Sequence, residues 1–362
     1  MDRSCYSQER LVAELAVQRV SVLAKGVMRE VLAGREGEMT KTDKSPVTIA
    51  DFAGQALMIS ALHSAFPTDR FVGEEGAEAL RQDCHLRDRV WELVSSARLQ
   101  DAQSDALLAS PASAEEMMDS IDLGRDPGGP TGRVWVMDPI DGTAAFLKGQ
   151  QFAVSLALLV DGREEIGVVG CPNLRPDTVM IQETVVDDEG YGLMVSAERG
   201  QGALLRPIGD GSLRKPRTLE KFQPPTGEGA SEGPHFVESS MNTSCRLDLV
   251  GHLATILGSK FPGTDVWSSH IKYVALILGG GDLLVRIPRR GEPVDNHIWD
   301  HAGAQLIFSE RGGNITDLRG RKIDFGAGRR LSNNCGLVLS KDWLSARILD
   351  LVRDLQLDDE GM

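Results

Sequence analysis

Apolar residues recur at helical spacing from 8 to 32, with Leu11, Leu15 and Val22 among them, and predict an amphipathic helix. A polar stretch, 34–45, follows as a loop ending in Ser45-Pro46. Helical spacing returns over 50–65, with Ala53, Leu57, Met58 and Leu62 on one face and Asp51 in the first turn. A short strand-like run, 70–73, leads into Glu74-Glu75. The pattern weakens over 76–130, where a helix is expected around 90–94 and a loop at 126–130. Strand-like runs then dominate, at 133–137, 152–160, 165–170 and 192–197, with Asp161-Gly162 as a hairpin signal. They predict an antiparallel sheet covered by the N-terminal helices. Residues 207–234 are rich in Pro, Gly and Ser and read as a linker. Beyond it, helical patterns at 247–257, 267–278, 299–311 and 341–355 alternate with strands at 282–287 and 336–340. That is an α/β layer pattern, and the chain as a whole reads as α/β (α+β).

Size adds a division to this picture. A chain of 362 residues buries a full core and is expected to split in two, here at 1–215 and 216–362. No apolar run is long enough to span a bilayer, and the N-terminus lacks the basic and apolar pattern of a signal peptide, so a cytoplasmic protein is expected. The net charge of −14 argues against a nucleic-acid partner. Five scattered cysteines, Cys5, Cys84, Cys171, Cys245 and Cys335, form no CxxC pair and read as buried reduced thiols. No obligate protein partner is evident.

The densest chemistry lies in Asp138-Pro139-Ile140-Asp141-Gly142-Thr143. Two carboxylates sit three residues apart at a strand end, and Pro139 stiffens the turn between them. Gly142 and Thr143 then offer backbone N–H groups at a helix start expected over 144–148, where anions bind well. Asp51, Glu74, Glu75 and Asp300 are further acids at element ends. Oxygen ligands of this kind favour hard cations such as magnesium. Neighbouring carboxylates repel by about 4 kcal/mol per pair at 4 Å and an effective dielectric near 20, which a cation relieves. The competing reading is that the acids are solvated loop charges or helix N-caps, as Asp51 and Asp300 would be near a helix dipole.

Together with residues 72–76 upstream and 299–303 downstream, the hexapeptide resembles the inositol monophosphatase superfamily, magnesium-dependent and lithium-sensitive phosphatases. Residues 44–51, 146–154, 170–174, 298–302 and 324–329 resemble its 3′(2′),5′-bisphosphate nucleotidase branch. The resemblance implies a two-part α/β/α/β/α sandwich. It implies hydrolysis of the 3′-phosphate of adenosine 3′,5′-bisphosphate, and leaves open whether 3′-phosphoadenosine 5′-phosphosulfate is a further substrate. It implies two or three magnesium ions: Glu74, Asp138 and the Ile140 carbonyl at one, and Asp138, Asp141 and Asp300 at a second. Asp51 and Thr143 are implied as the pair that deprotonates the attacking water. Gly142 and Thr143 orient the phosphate.

The resemblance also assigns nucleotide contacts to Ser269, Lys272 and Arg286, with the two cations facing the 5′-phosphate. From the residues alone, a surface lysine and an arginine at a strand end are the competing reading. One segment departs from the branch. Where it carries a histidine- and serine-rich stretch, this chain has Val237-Glu238-Ser239-Ser240-Met241-Asn242. Met241 is expected to pack on an adenine face, and Glu238 to meet the adenine amino group or repel the 5′-phosphate. The departure keeps two alternatives open: a phosphatase for inositol or related sugar phosphates, and a nucleotide-binding regulatory member with weak catalysis. His301 reads as packing or as a support for the metal ligands rather than a ligand. His63, His85, His252 and His297 read as structural.

Overall fold

We describe the protein from a computed structural model covering residues 5–33, 39–40, 46–178, 180–225, 233–241, 243–289 and 296–360. The loop expected at 34–45, apart from Met39 and Thr40, and Asn242 lie outside the described residues.

The long N-terminal helix forms as its periodicity predicts, α1 (Ser7–Leu32). Two short strands, β1 (Met39–Thr40) and β2 (Pro46–Val47), pair antiparallel and lead into α2 (Ile49–Ala65). Thr48 caps α2: its hydroxyl accepts from the Ala50 amide at 3.2 Å, and Asp51 reaches back to accept from the Thr48 amide at 2.8 Å. β3 (Arg70–Gly73) follows, then four helices, α3 (Glu78–Gln82), α4 (Cys84–Ser96), α5 (Ala102–Asp105) and α6 (Ala114–Leu123). The chain re-enters the sheet as β4 (Arg133–Asp141), makes one helical turn, α7 (Thr143–Phe146), and continues through β5 (Ala153–Val160), β6 (Arg163–Cys171), β7 (Leu193–Glu198), β8 (Ala203–Pro207) and β9 (Arg217–Leu219).

These strands form one seven-stranded sheet in chain order, β3 to β9. It is antiparallel except at one edge. β3 pairs parallel with β4, because the four helices between them provide the crossover a parallel pair needs. β9 lies inside the stretch that read as a linker. Its three residues carry no periodicity of their own, yet Leu219 pairs with Ala203 and is buried.

The remaining elements are β10 (Val237–Glu238), α8 (Leu247–Ile256), β11 (Thr264–Asp265), α9 (Ser269–Leu278), β12 (Leu283–Arg286), α10 (Ala302–Glu310), β13 (Gly313–Thr316), β14 (Leu337–Lys341) and α11 (Ser345–Glu360). β10 and β11 form a parallel ribbon, and β12, β14 and β13 an antiparallel three-stranded sheet. The helix expected over 299–311 divides at His301 into a 3-10 turn, Ile298–Asp300, and α10.

Alternation along the strands sorts the core into layers. Trp135 and Met137 of β4 face α1, α2, α4 and α6 on one side. Val134 and Val136 face the other way, against α9 and α10. Leu284 and Leu339 of the small sheet close that same second core from below. Leu283, Val285 and Val338 turn to a third core shared with α8 and α11. Helices, large sheet, helices, small sheet and helices thus stack as α/β/α/β/α. None of the described helices is long and apolar enough to cross a membrane. Cys171 and Cys245 are buried and Cys335 is part-buried, but Cys5 and Cys84 are exposed rather than interior.

Candidate active site

β4 brings the first two acids together through an irregularity. Asp138 lies opposite Ser155 and Asp141 opposite Ala153, so three steps on β4 match two on β5. In a regular strand, residues three apart point to opposite faces. The bulge at Pro139–Ile140 corrects that parity and aims both carboxylates at one point. α2 supports the bulge by close approach: a Cβ on Gly54 would come within 3.0 Å of the Pro139 side chain.

Gly142 then reverses the chain with φ +92°, and a Cβ there would lie 2.8 Å from the Ser268 Cβ. Only glycine satisfies both conditions. The close approach seats Asp141 on the N-terminus of α9. Its carboxylate accepts from the Ser268 hydroxyl at 2.5 Å and from the amides of Ser269 and His270 at 3.2 and 2.5 Å.

Glu74 comes from the turn after β3. Gln55 of α2 holds that turn, donating to the Glu75 carbonyl at 2.8 Å and accepting from the Glu75 amide at 2.9 Å. Asp300 arrives from the second half of the chain on the 3-10 turn. Its neighbour Trp299 is stacked on His297, ring centroids 4.3 Å apart, and covered by the Arg329 guanidinium 4.7 Å from the ring. Arg329 also donates to the Gly73 and Gly124 carbonyls at 2.5 and 2.9 Å, which ties the Asp300 segment to the Glu74 turn.

Carboxylate oxygens of Asp138, Asp141 and Asp300 all lie within 4.8 Å of one another. Burial raises the Asp138 carboxyl well above its usual range, and Glu74, Asp141, Asp300 and Asp51 push it further. Asp300 is driven up to about 8, first by desolvation and then by Asp141 and Glu74, with Arg286 opposing. An all-oxygen set whose members repel one another is the donor chemistry of a hard divalent cation, so the residues present fit magnesium.

The acids border a cavity of about 440 Å³, which Glu74, Gly142, Thr143, Ser269, Lys272, Arg286 and Asp300 line. The Thr143 hydroxyl donates to the Ile140 carbonyl at 3.3 Å, and Asp51 Oδ2 accepts from the Thr48 hydroxyl at 2.6 Å. Lys272 Nζ donates to the Trp267 carbonyl at 2.6 Å, and Arg286 to the Ser269 hydroxyl at 3.3 Å. Glu238 does not turn to the cavity as expected: its buried carboxyl accepts from the Gly263 amide at 2.7 Å, and burial raises its pKa. Met241, 58% exposed, does line it. His301 is buried, with Nδ1 3.1 Å from the Tyr273 hydroxyl.

Gln55, Arg329, Ser268 and Trp267 are the supporting residues that sequence reasoning missed. Arg329 lay in the 324–329 motif without a role, and Ser268 carried a signal as a cap before the apolar run of α9, where its hydroxyl accepts from the Ile271 amide at 3.0 Å.

The inositol monophosphatase family model matches residues 7–356. The chain belongs to the inositol monophosphatase family. This family is metal-dependent, and the triad of acids is a cluster able to hold a metal. Among its relatives, the 3′(2′),5′-bisphosphate nucleotidase of Emericella nidulans is 38% identical over 356 residues, covering 96% of this chain and 98% of its own. The Schizosaccharomyces pombe protein of the same name is 36% identical over 348 residues, covering 95% of each chain. The one from Oryza sativa is 32% identical over 354 residues, covering 96% of this chain and 94% of its own. Two solved structures share the fold. The extragenic suppressor protein SuhB of Bartonella henselae gives a TM-score of 0.59 at 16% identity, covering 96% of this chain and 98% of its own. Mycobacterium tuberculosis SuhB gives 0.57 at 18%, covering 98% of each.

Proposed function

We propose that this chain is a magnesium-dependent 3′(2′),5′-bisphosphate nucleotidase. It hydrolyses the 3′-phosphate of adenosine 3′,5′-bisphosphate to AMP and phosphate, and takes 3′-phosphoadenosine 5′-phosphosulfate by the same route. The observation that carries this reading is the meeting of three acids beside a cavity that Lys272 and Arg286 also line. The acids suit cations that would neutralise one phosphate, and Lys272 and Arg286 supply charge for a second. The nucleotidases among the relatives act, by name, on a doubly phosphorylated nucleotide.

Glu74, Asp138 and the Ile140 carbonyl would hold one magnesium ion, and Asp138, Asp141 and Asp300 another. Bound there, magnesium lowers the pKa of the attacking water and stabilises charge on the leaving 3′-oxygen. The chain's own groups position and deprotonate. Thr143 and Asp51 take the proton of the attacking water. Backbone N–H groups at Gly142–Thr143 orient the phosphate for in-line attack. Ser269, Lys272 and Arg286 hold the 5′-phosphate, and Asp141 keeps its place because α9 donates to it.

A substrate panel tests the reading. Phosphate release from adenosine 3′,5′-bisphosphate is expected to need magnesium, to fall with lithium and to vanish in Asp138→Asn. Brisk cleavage of inositol monophosphate with none from the nucleotide refutes it.

A further inference from the structure

Val237 lies opposite Thr264 and Glu238 opposite Asp265 in the parallel ribbon. Parallel strands release the segments that follow them at the same end. Met241 follows one strand and Trp267 the other, and both line the cavity that the acids border. Ser240 fastens the two exits together, its amide and hydroxyl donating to Asp265 at 2.9 and 2.5 Å.

Trp267 is held through its backbone and met on its ring by one cation. Its amide donates to Glu183 at 2.9 Å, and its carbonyl accepts from Lys272 at 2.6 Å. The Lys148 ammonium sits 4.3 Å from the indole centroid. The indole still remains part-exposed in the cavity, and Met241 is mostly exposed. An aromatic side chain on an anchored backbone and an adaptable thioether, both open to the same cavity, are apolar surface that a ligand covers. Lys272 and Arg286 share the cavity, so that ligand carries an anionic group beside a planar ring.

We propose that Trp267 closes the nucleobase slot beside Met241 and, by stacking on the base, sets the preference for nucleotides over sugar phosphates. This rests on the nucleotidase reading above. Stacking accepts any base, because every base has a π-face. Lys148 polarises the indole by its cation–π contact.

The test compares AMP with ribose 5-phosphate as competitive inhibitors of adenosine 3′,5′-bisphosphate hydrolysis in magnesium. Wild-type enzyme is expected to bind AMP about tenfold more tightly, as one stacked base gives. Trp267→Ala should weaken AMP alone and bring the two within about twofold, while Trp267→Phe keeps most of the preference. An unchanged AMP advantage in Trp267→Ala, or equal weakening of both inhibitors, overturns the slot. No phosphate release from any nucleoside bisphosphate by the wild type overturns the functional reading instead, and the two failures are separable.

Discussion

Lys272 is a buried cation whose charge is conditional. Burial lowers its ammonium to about 7, and Arg286 pushes the same way against Asp141, Glu183 and Asp300. Below that value the side chain is charged; above it the free enzyme holds a neutral amine. A nucleotide phosphate prefers the ammonium, so binding weakens as pH rises. The Michaelis constant for adenosine 3′,5′-bisphosphate is expected to climb from pH 6 to 8, towards about tenfold per unit above 7. In Lys272→Met it should be high throughout and lack that climb, while turnover changes less. The ratio between the two enzymes removes the substrate's own titration, and a ratio that stays flat contradicts a phosphate role for Lys272. Legibility at this scale followed sequence distance. Asp138 and Asp141 announced themselves because three residues held both. Lys148, Glu183 and Trp267 meet only after folding, and no window of sequence contains them together.

At the scale of elements, the β4 bulge and the Gly142 turn decide whether the acids converge. Gly142→Ala places a methyl group in a left-handed conformation and against Ser268. It is expected to cost roughly 1–3 kcal/mol of stability, read by urea denaturation, and to depress turnover further by unseating Asp141 from α9. A variant with unchanged stability and turnover would show that the turn tolerates displacement. Long helices such as α1 and α2 were legible because many turns repeat one apolar face. β9, β10 and β11 were not, since two or three residues carry no period; register with a neighbour makes them strands. The parallel edge of the large sheet was hidden for a related reason. Nothing in β3 itself reports that four helices intervene before its partner.

Across the whole molecule, the site is assembled from distant parts of the chain, with Glu74, Asp138 and Asp141 from the large-sheet side and Asp300 from beside α10. Arg329 joins them, covering Trp299 while donating to Gly73 and Gly124. Arg329→Ala is expected to raise the magnesium concentration for half-maximal activity several-fold, since it loosens two ligand segments at once. Circular dichroism should still report a folded chain, because the three apolar cores contain no part of Arg329. An unchanged magnesium dependence counts against this tie. We also propose a division into two parts near residues 215 and 216, with β9 kept in the first because it pairs with β8. The layered pattern was legible as alternating element types. The order in which the layers face one another was not, because it depends on which side of each strand is covered.

The turn at Gly142 bears on how such a site can be transferred or inherited. The hexapeptide looks like a portable cassette, short enough to copy into another strand end. Its geometry belongs to two partners, for the glycine is shaped to Ser268 and the proline to Gly54. Grafted alone, the segment would carry its two acids but neither surface that aims them. The smallest unit that can move intact is therefore the strand together with the helix beneath it and the helix start across from it.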